Sequence, residues 1–165
     1  MATDWISERV VEEHDRRNAV LEFVKASEVF LAAIEAQIRE AVAEYKKHFP
    51  KEPISARRSA LKIEVTRFQE PRGHARDSDR PLPGLRSIAI ADPIDQVLTV
   101  VILPSERLSK SIPATIQNGS LVLGVPGETV TNPSLVKYML MPVLFPGLVD
   151  DSGVLGYLKQ EFSPD

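Results

Sequence analysis

Three arginines and one histidine lie close together in the polar stretch EPRGHARDSDRPLPG, residues 70–84. Guanidinium groups donate paired, coplanar hydrogen bonds, so Arg72, Arg76 and Arg80, together with His74, are candidates for binding a phosphate or a carboxylate. Acidic residues in the same stretch offset most of the positive charge, and its few glycines do not suit a backbone phosphate cradle. We therefore expect a polar connection between two strands, with a small-anion site as the alternative and a catalytic loop as the least favoured.

A second group of cations follows a long helical pattern and comprises Lys46, Lys47, Lys51, Arg57 and Arg58. Cations can contact phosphates while nearby aromatic rings stack on bases, which makes this group a candidate nucleic-acid surface. The alternative is that the lysines complement the carbonyl end of the helix and the arginines lie on a linker. We favour this alternative, because the chain has a net charge of -3 and so lacks a strongly basic balance.

Arrangements typical of catalysis or of metal binding are missing from the sequence. There is no cysteine, and the three histidines, His14, His48 and His74, are too far apart in sequence to place two ligands on one helix turn. Neither a G-x-S-x-G elbow nor a phosphate-binding loop occurs. The two carboxylates of Asp77-Ser78-Asp79 have a spacing that can bind a divalent metal carried by a sugar nucleotide, but no nucleotide-binding pattern accompanies them. We therefore predict no catalytic residue, no metal and no cofactor, and we lean towards a non-enzymatic chain.

The elements that must position these groups begin with a long helix. No proline or glycine occurs between Asp4 and Phe49, which predicts one helix, or two with a break near Asn18. Its apolar positions recur in alternating steps of four and three, which is the a/d spacing of a coiled-coil seam. The seam consists of Val20, Val24, Ser27, Leu31, Ile34, Ile38, Ala41 and Tyr45.

The length of this helix predicts a partner. About 45 helical residues extend roughly 68 Å, whereas a strand of eight to ten residues spans only about 30 Å. A single sheet therefore cannot cover the whole helix, and we expect a protein partner or a homo-oligomer along it. The alternative is that the whole stripe packs on the chain's own sheet. The predicted partner-binding residues are Trp5, Ile6, Val10, Val20, Val24, Leu31, Ile34 and Ile38.

Alternating apolar and polar residues predict strands at 61–66, 87–91, 96–103, 112–117 and 120–125. Asn118-Gly119 is a strong hairpin signal that sets Ile116 opposite Leu121. The segment 97–103 is apolar on both faces, which predicts cover by the long helix on one face and by C-terminal helices on the other. We predict a short helix over 134–141 that begins after Asn132 and is ended by Pro142. A helical turn is predicted at 105–110 and a terminal helix at 152–162.

The sequence as a whole predicts an α+β fold, with a long N-terminal helix packed on an antiparallel sheet of about five strands and short C-terminal helices. Residues 1–49 would form the helix and residues 50–165 the sheet body, within one folding unit. We interpret the chain as a non-enzymatic protein-interaction or assembly subunit, such as an adaptor or a structural component. The alternatives are an anion-binding or small-molecule-binding module, or an enzyme, that uses residues 70–84, and a nucleic-acid-associated subunit that uses residues 46–67.

The sequence also favours a cytoplasmic location. No apolar run reaches the roughly 18 residues that a membrane-spanning helix needs. The N-terminal residues are acidic where a signal peptide would be basic and then apolar. We therefore expect no membrane span, and among macromolecular partners we favour protein over nucleic acid.

Overall fold

The computed structural model describes residues 3–69, 82–103 and 109–146. The elements are α1 (Asp4–His48), β1 (Ile54–Ser59), β2 (Lys62–Gln69), β3 (Leu82–Asp92), β4 (Val97–Leu103), β5 (Lys110–Gln117), β6 (Ser120–Val125), β7 (Glu128–Val130) and α2 (Asn132–Leu144). The predicted α+β fold is confirmed, with seven strands instead of about five. Residues 105–108 of the helical turn predicted at 105–110, and all of the terminal helix predicted at 152–162, lie outside the described residues. Lys110 begins a strand and not a turn.

Helix α1 is continuous for 45 residues, so the alternative of a break near Asn18 is wrong. Uninterrupted helix-favouring residues explain its length. At its C-terminus the Phe49 backbone N–H donates to the Tyr45 carbonyl at 3.0 Å, and Pro50 follows. The last turn carries Lys46, Lys47 and His48, which are placed where positive charge interacts favourably with the carbonyl end of a helix.

The seven strands form an antiparallel sheet in which each strand pairs with the next along the chain. The predicted hairpin at Asn118-Gly119 is confirmed, with Ile116 opposite Leu121. Both turn residues have positive φ, 52° and 78°, as a two-residue type I′ turn requires. Strand β4 begins at Val97, one residue later than predicted, because Gln96 takes a positive φ of 52° in the preceding turn.

One face of the sheet carries the core. The register aligns buried residues across neighbouring strands, for example Ile63 with Ala89 and Ala89 with Val100. Side chains of α1 and of α2 belong to the same hydrophobic cluster, so both helices cover this face. The prediction that the helices cover opposite faces of β4 is therefore wrong. The alternate residues of β4, such as Val101, are only half-buried on the other face of the sheet.

The prediction that Arg57 and Arg58 lie on a linker is also wrong, because both belong to edge strand β1. Helix α1 supplies side chains to this edge. The Lys46 Nζ donates to the Ile54 carbonyl at 3.1 Å, and an Arg39 guanidinium nitrogen donates to the Ala56 carbonyl at 3.2 Å. Since free edge carbonyls are templates for strand addition, these cations protect β1 against pairing with another chain.

Helix α2 begins two residues earlier and ends three residues later than the predicted range 134–141. Its N-cap is Thr131, whose hydroxyl accepts from the Ser134 backbone N–H at 3.3 Å. Pro142 lies inside the helix, although proline cannot donate the backbone hydrogen bond of that position. The turn that follows is held by tertiary contacts, because Val143 and Leu144 are both buried.

Arg67 connects the C-terminal ends of both helices to β2. Its guanidinium donates to the Val143 and Leu144 carbonyls at 3.1 and 3.2 Å, which are among the unpaired carbonyls at the end of α2. It also donates to the Tyr45 hydroxyl of α1 at 3.3 Å and forms an ion pair with Glu52 at 2.7 Å. Arg67 therefore fixes how the C-terminal half of α1 sits on the body of the protein.

The β6–β7 hairpin depends on a glycine at position 124. Gly124 has a φ of 101°, which side-chain-bearing residues rarely adopt, and a Cβ there would collide with the Glu128 carbonyl oxygen. We expect Gly124→Ala to lower the free energy of unfolding by about 2 kcal/mol. At Gly119, φ is 78° but a Cβ would have open space, so Gly119→Ala should cost only about 1 kcal/mol. Urea unfolding of both variants measures the difference, and equal losses would contradict a steric role for Gly124.

Candidate functional site

The first four to five turns of α1, residues 4–19, form what we call the N-terminal arm. None of its side chains is buried, whereas the buried residues of α1 begin at Phe23. At about 1.5 Å per residue the arm is roughly 24 Å long. It leaves apolar surface in contact with solvent: the exposed fraction is 61% for Trp5, 45% for Ile6 and 47% for Val10.

These three side chains share one side of the helix. Together with Arg9, Glu13, His14 and Arg17 they line a shallow depression of about 460 Å³. Residues three or four apart are neighbours on a helix surface, which explains why Ile6 and Val10 adjoin. The arm therefore presents a small apolar surface that passes into a charged one at Glu13 and Arg17.

Several charges of the arm are paired within the helix. Glu13 accepts from Arg16 at 2.7 Å and from Arg17 at 2.9 Å, and Arg9 pairs with Glu12 at 2.6 Å. The hydrogen bonds from Arg16, and then from Arg17, lower the pKa of Glu13 to about 2. Glu13 is therefore a carboxylate at neutral pH. Each such exposed pair supports a helix only weakly, but three pairs act within a segment that lacks buried side chains.

The remaining predicted partner-binding residues lie nearer to the body. Leu31, Ile34 and Ile38 are all 0% exposed and belong to the hydrophobic core, so a partner cannot reach them in the folded chain. Val20 and Val24 are half-buried at the junction of arm and body. The accessible part of the predicted surface is therefore Trp5, Ile6 and Val10, with part of Val20 and Val24.

The basic group is largely used inside the chain. Lys46 donates to the β1 edge, as described above. Lys47 pairs with Glu44 at 2.7 Å, and Arg58 lies 3.5 Å from Glu35. Lys51 and Arg57 are exposed. Lys46, Lys47 and Arg58 thus have contacts within the chain, and the nucleic-acid surface stays a prediction.

The anion-binding candidates Arg72, His74, Arg76 and Arg80 lie outside the described residues, so that prediction stays a prediction. Within the residues that the structure does describe, no three His, Asp or Glu side chains come together in a way that would hold a metal ion. None of the described helices is both long enough and apolar enough to cross a membrane.

A second surface was not predicted from the sequence. A groove of about 640 Å³ runs between the C-terminal half of α1 and α2. Its apolar lining comprises Ala41, Pro133, Val136, Leu140, Met141, Leu144 and Phe145, and polar side chains at Gln37, Glu40, Glu44 and Lys137 also line it. No local sequence signal points to this groove, because it arises from the relative position of two helices that are about 90 residues apart in the chain.

Comparison with known proteins identified no relative of this chain. No protein-family model matches the chain, and no curated protein or solved structure is similar to it.

Proposed function

We propose that the chain is a protein-interaction subunit that assembles through its N-terminal arm. The observation that supports this proposal is the exposure of Trp5, Ile6 and Val10 together on one side of a helix that the sheet does not cover. An apolar surface in this position is typical of a protein-contact site, whereas single exposed apolar residues are ordinary.

The exposed apolar side chains of the arm supply part of the free energy that association needs. From their exposed fractions, the three side chains offer on the order of 200–300 Å² of surface, or about 5–8 kcal/mol if fully buried, before the costs of association are subtracted. Tryptophan is also among the residue types that dominate binding energy at protein interfaces. We therefore expect Trp5 to make the largest single contribution to the contact.

Pre-organisation is the second argument. An isolated helix of 16 residues is only marginally stable in water. The arm continues a helix whose later turns are buried, so its nucleus is already formed, and the Glu13 ion pairs with Arg16 and Arg17 add support. A partner would thus bind an ordered surface and would not have to order it first.

Two glutamate substitutions test the proposal. Val10→Glu places a charge on the apolar surface of the arm, whereas Val29→Glu changes a side chain that is 73% exposed elsewhere on α1. Because burying an unpaired charge at an interface is costly, we expect Val10→Glu to reduce the assembled mass to that of the monomer. Val29→Glu should assemble like the unmodified chain. Sedimentation velocity on the purified proteins measures the masses, and far-UV circular dichroism checks that both variants fold.

The proposal is overturned if the unmodified chain and the Val10→Glu variant are both monomeric and if the same proteins co-purify with each of them. The two alternative functions have less support. The basic stretch is engaged in contacts within the chain, and the loop at 70–84 falls largely outside the described residues.

A further inference from the structure

Along the seam positions of the arm and of its junction with the body, the order of apolar and charged residues is nearly the same in both directions. The 4-3 spacing of the buried seam continues N-terminally through Val24, Val20, Arg17, Glu13, Val10 and Ile6. Two apolar residues are thus followed by a glutamate, an arginine and two more apolar residues. This order is self-complementary if two such helices lie antiparallel, because each charge then meets its opposite.

The register that achieves this complementarity is unique among those centred on the arm. When paired residue numbers sum to 30, Ile6 faces Val24, Val10 faces Val20, and Glu13 faces Arg17. Every layer then pairs an a position with a d position, which is the arrangement of antiparallel coiled coils. The two-fold axis passes beside Asp15, and the overlap of 19 residues is about 28 Å long.

We propose that the arm pairs with the arm of a second copy of this chain in this antiparallel register. The inference deepens the proposed function and rests on it, because it names the protein that the arm binds. It assigns a symmetric, self-complementary interface of the kind that closes a two-fold dimer.

Charge decides the direction of the helices. Arg17 already contacts Glu13 of its own helix at 2.9 Å. In the antiparallel register a second Glu13–Arg17 pair is added across the interface, so that four charges of alternating sign surround the two-fold axis. In a parallel pair Glu13 would face Glu13 and Arg17 would face Arg17, and like charges at the seam of an interface cost free energy.

The position of the body agrees with this register. Burial in α1 begins at Phe23, so the body of the second copy begins opposite residue 7 of the first. The two bodies therefore lie at opposite ends of the paired arms. Trp5, which is 61% exposed in one chain, comes to lie beside the place where the body of the other copy begins. Val20 and Val24 are only half-buried in their own chain and keep surface for this contact.

Engineered disulfides test the direction and the register, since the chain contains no cysteine of its own. We expect an equal mixture of the Val10→Cys and Val20→Cys variants to form a cross-linked heterodimer under mild oxidation. Val10→Cys alone should not cross-link, because its two copies would be about 15 Å apart. Efficient cross-linking of Val10→Cys with itself would overturn the antiparallel arrangement.

Charge reversal supplies the second test. Glu13→Arg and Arg17→Glu should each weaken self-association at least tenfold, and an equal mixture of the two variants should recover it by forming a heterodimer. The double variant, with both changes in one chain, should associate within about threefold of the unmodified protein. Association that neither single change affects would exclude this interface.

The failure of this inference is distinguishable from the failure of the proposed function. If Val10→Glu disrupts an assembly but no cysteine mixture cross-links, the arm binds a protein in another arrangement and only the antiparallel pairing is overturned. If the unmodified chain stays monomeric at all concentrations, the antiparallel pairing is overturned. The proposed function is then tested separately, by whether the Val10→Glu variant loses a different protein that the unmodified chain binds.

Discussion

Replacing Ile38 by glutamate should prevent the chain from folding, while the same change at Val10 should leave the fold intact. The two residues occupy equivalent positions of the same helix, four heptads apart. They differ in environment, since Ile38 is 0% exposed and Val10 is 47% exposed. The comparison therefore separates the part of the seam that forms the core from the part that is available to a partner.

The expected cost at Ile38 has two components. The loss of a buried isoleucine side chain costs about 2–5 kcal/mol, and an unpaired carboxylate in the core adds several kcal/mol or forces the surrounding residues apart. The sum is comparable to the total stability of a typical domain, about 5–15 kcal/mol. At Val10 the carboxylate remains in water, so a change of no more than about 0.5 kcal/mol is expected for the monomer.

Far-UV circular dichroism and urea unfolding at low protein concentration measure both effects. Leu31→Glu serves as a second core variant, because Leu31 is also 0% exposed. An Ile38→Glu protein that keeps its strand signal and loses only an oligomer would contradict this structure and would make the whole seam a partner surface.

Arg67→Met should lower the free energy of unfolding by about 3 kcal/mol. Methionine keeps most of the length of the arginine stem but none of its donors. Its introduction leaves Glu52 without its cation and leaves the last two carbonyls of α2 without their shared donor. Because the Arg67 side chain is 19% exposed and that of Glu52 is 35% exposed, solvent replaces part of the lost interaction, which places the expected cost at the low end for a broken buried pair.

Arg57→Met is the matched control, since Arg57 lies on the neighbouring strand and is exposed. It should change stability by no more than about 0.5 kcal/mol. Equal effects of the two substitutions in urea unfolding would show that Arg67 does not connect the helices. A destabilised Arg67→Met protein should still self-associate through its arm, because Arg67 contacts α1 at Tyr45, near the end of the helix opposite to the arm.

Most of the fold was predictable because its signals are local. The absence of proline and glycine over residues 4–48 specified α1, and the Asn118-Gly119 turn specified the β5–β6 register. Strand β1 was missed because its sequence, ISARRS, has two consecutive arginines on an exposed edge and only one buried residue. The C-terminal turn of α2 was missed because proline ends a helix by its own preference, and tertiary contacts override that preference here.

The candidate site was only partly predictable. The seam spacing correctly indicated an apolar stripe along α1, but no local signal marks where the sheet stops covering it. That boundary, near Val20, depends on the placement of strands that lie at least 34 residues further along the chain. No sequence signal marks the role of Arg67, because its partners are 15 to 77 residues away in sequence.

The most direct test of the central claim uses the single tryptophan of the chain. Selective excitation of Trp5 over a range of protein concentrations, with sedimentation on the same samples, reports its environment and the mass together. We predict that the emission shifts to shorter wavelength as the mass rises from monomer to dimer, because the indole leaves water. A dimer whose Trp5 emission remains that of a solvent-exposed indole would contradict assembly through the N-terminal arm.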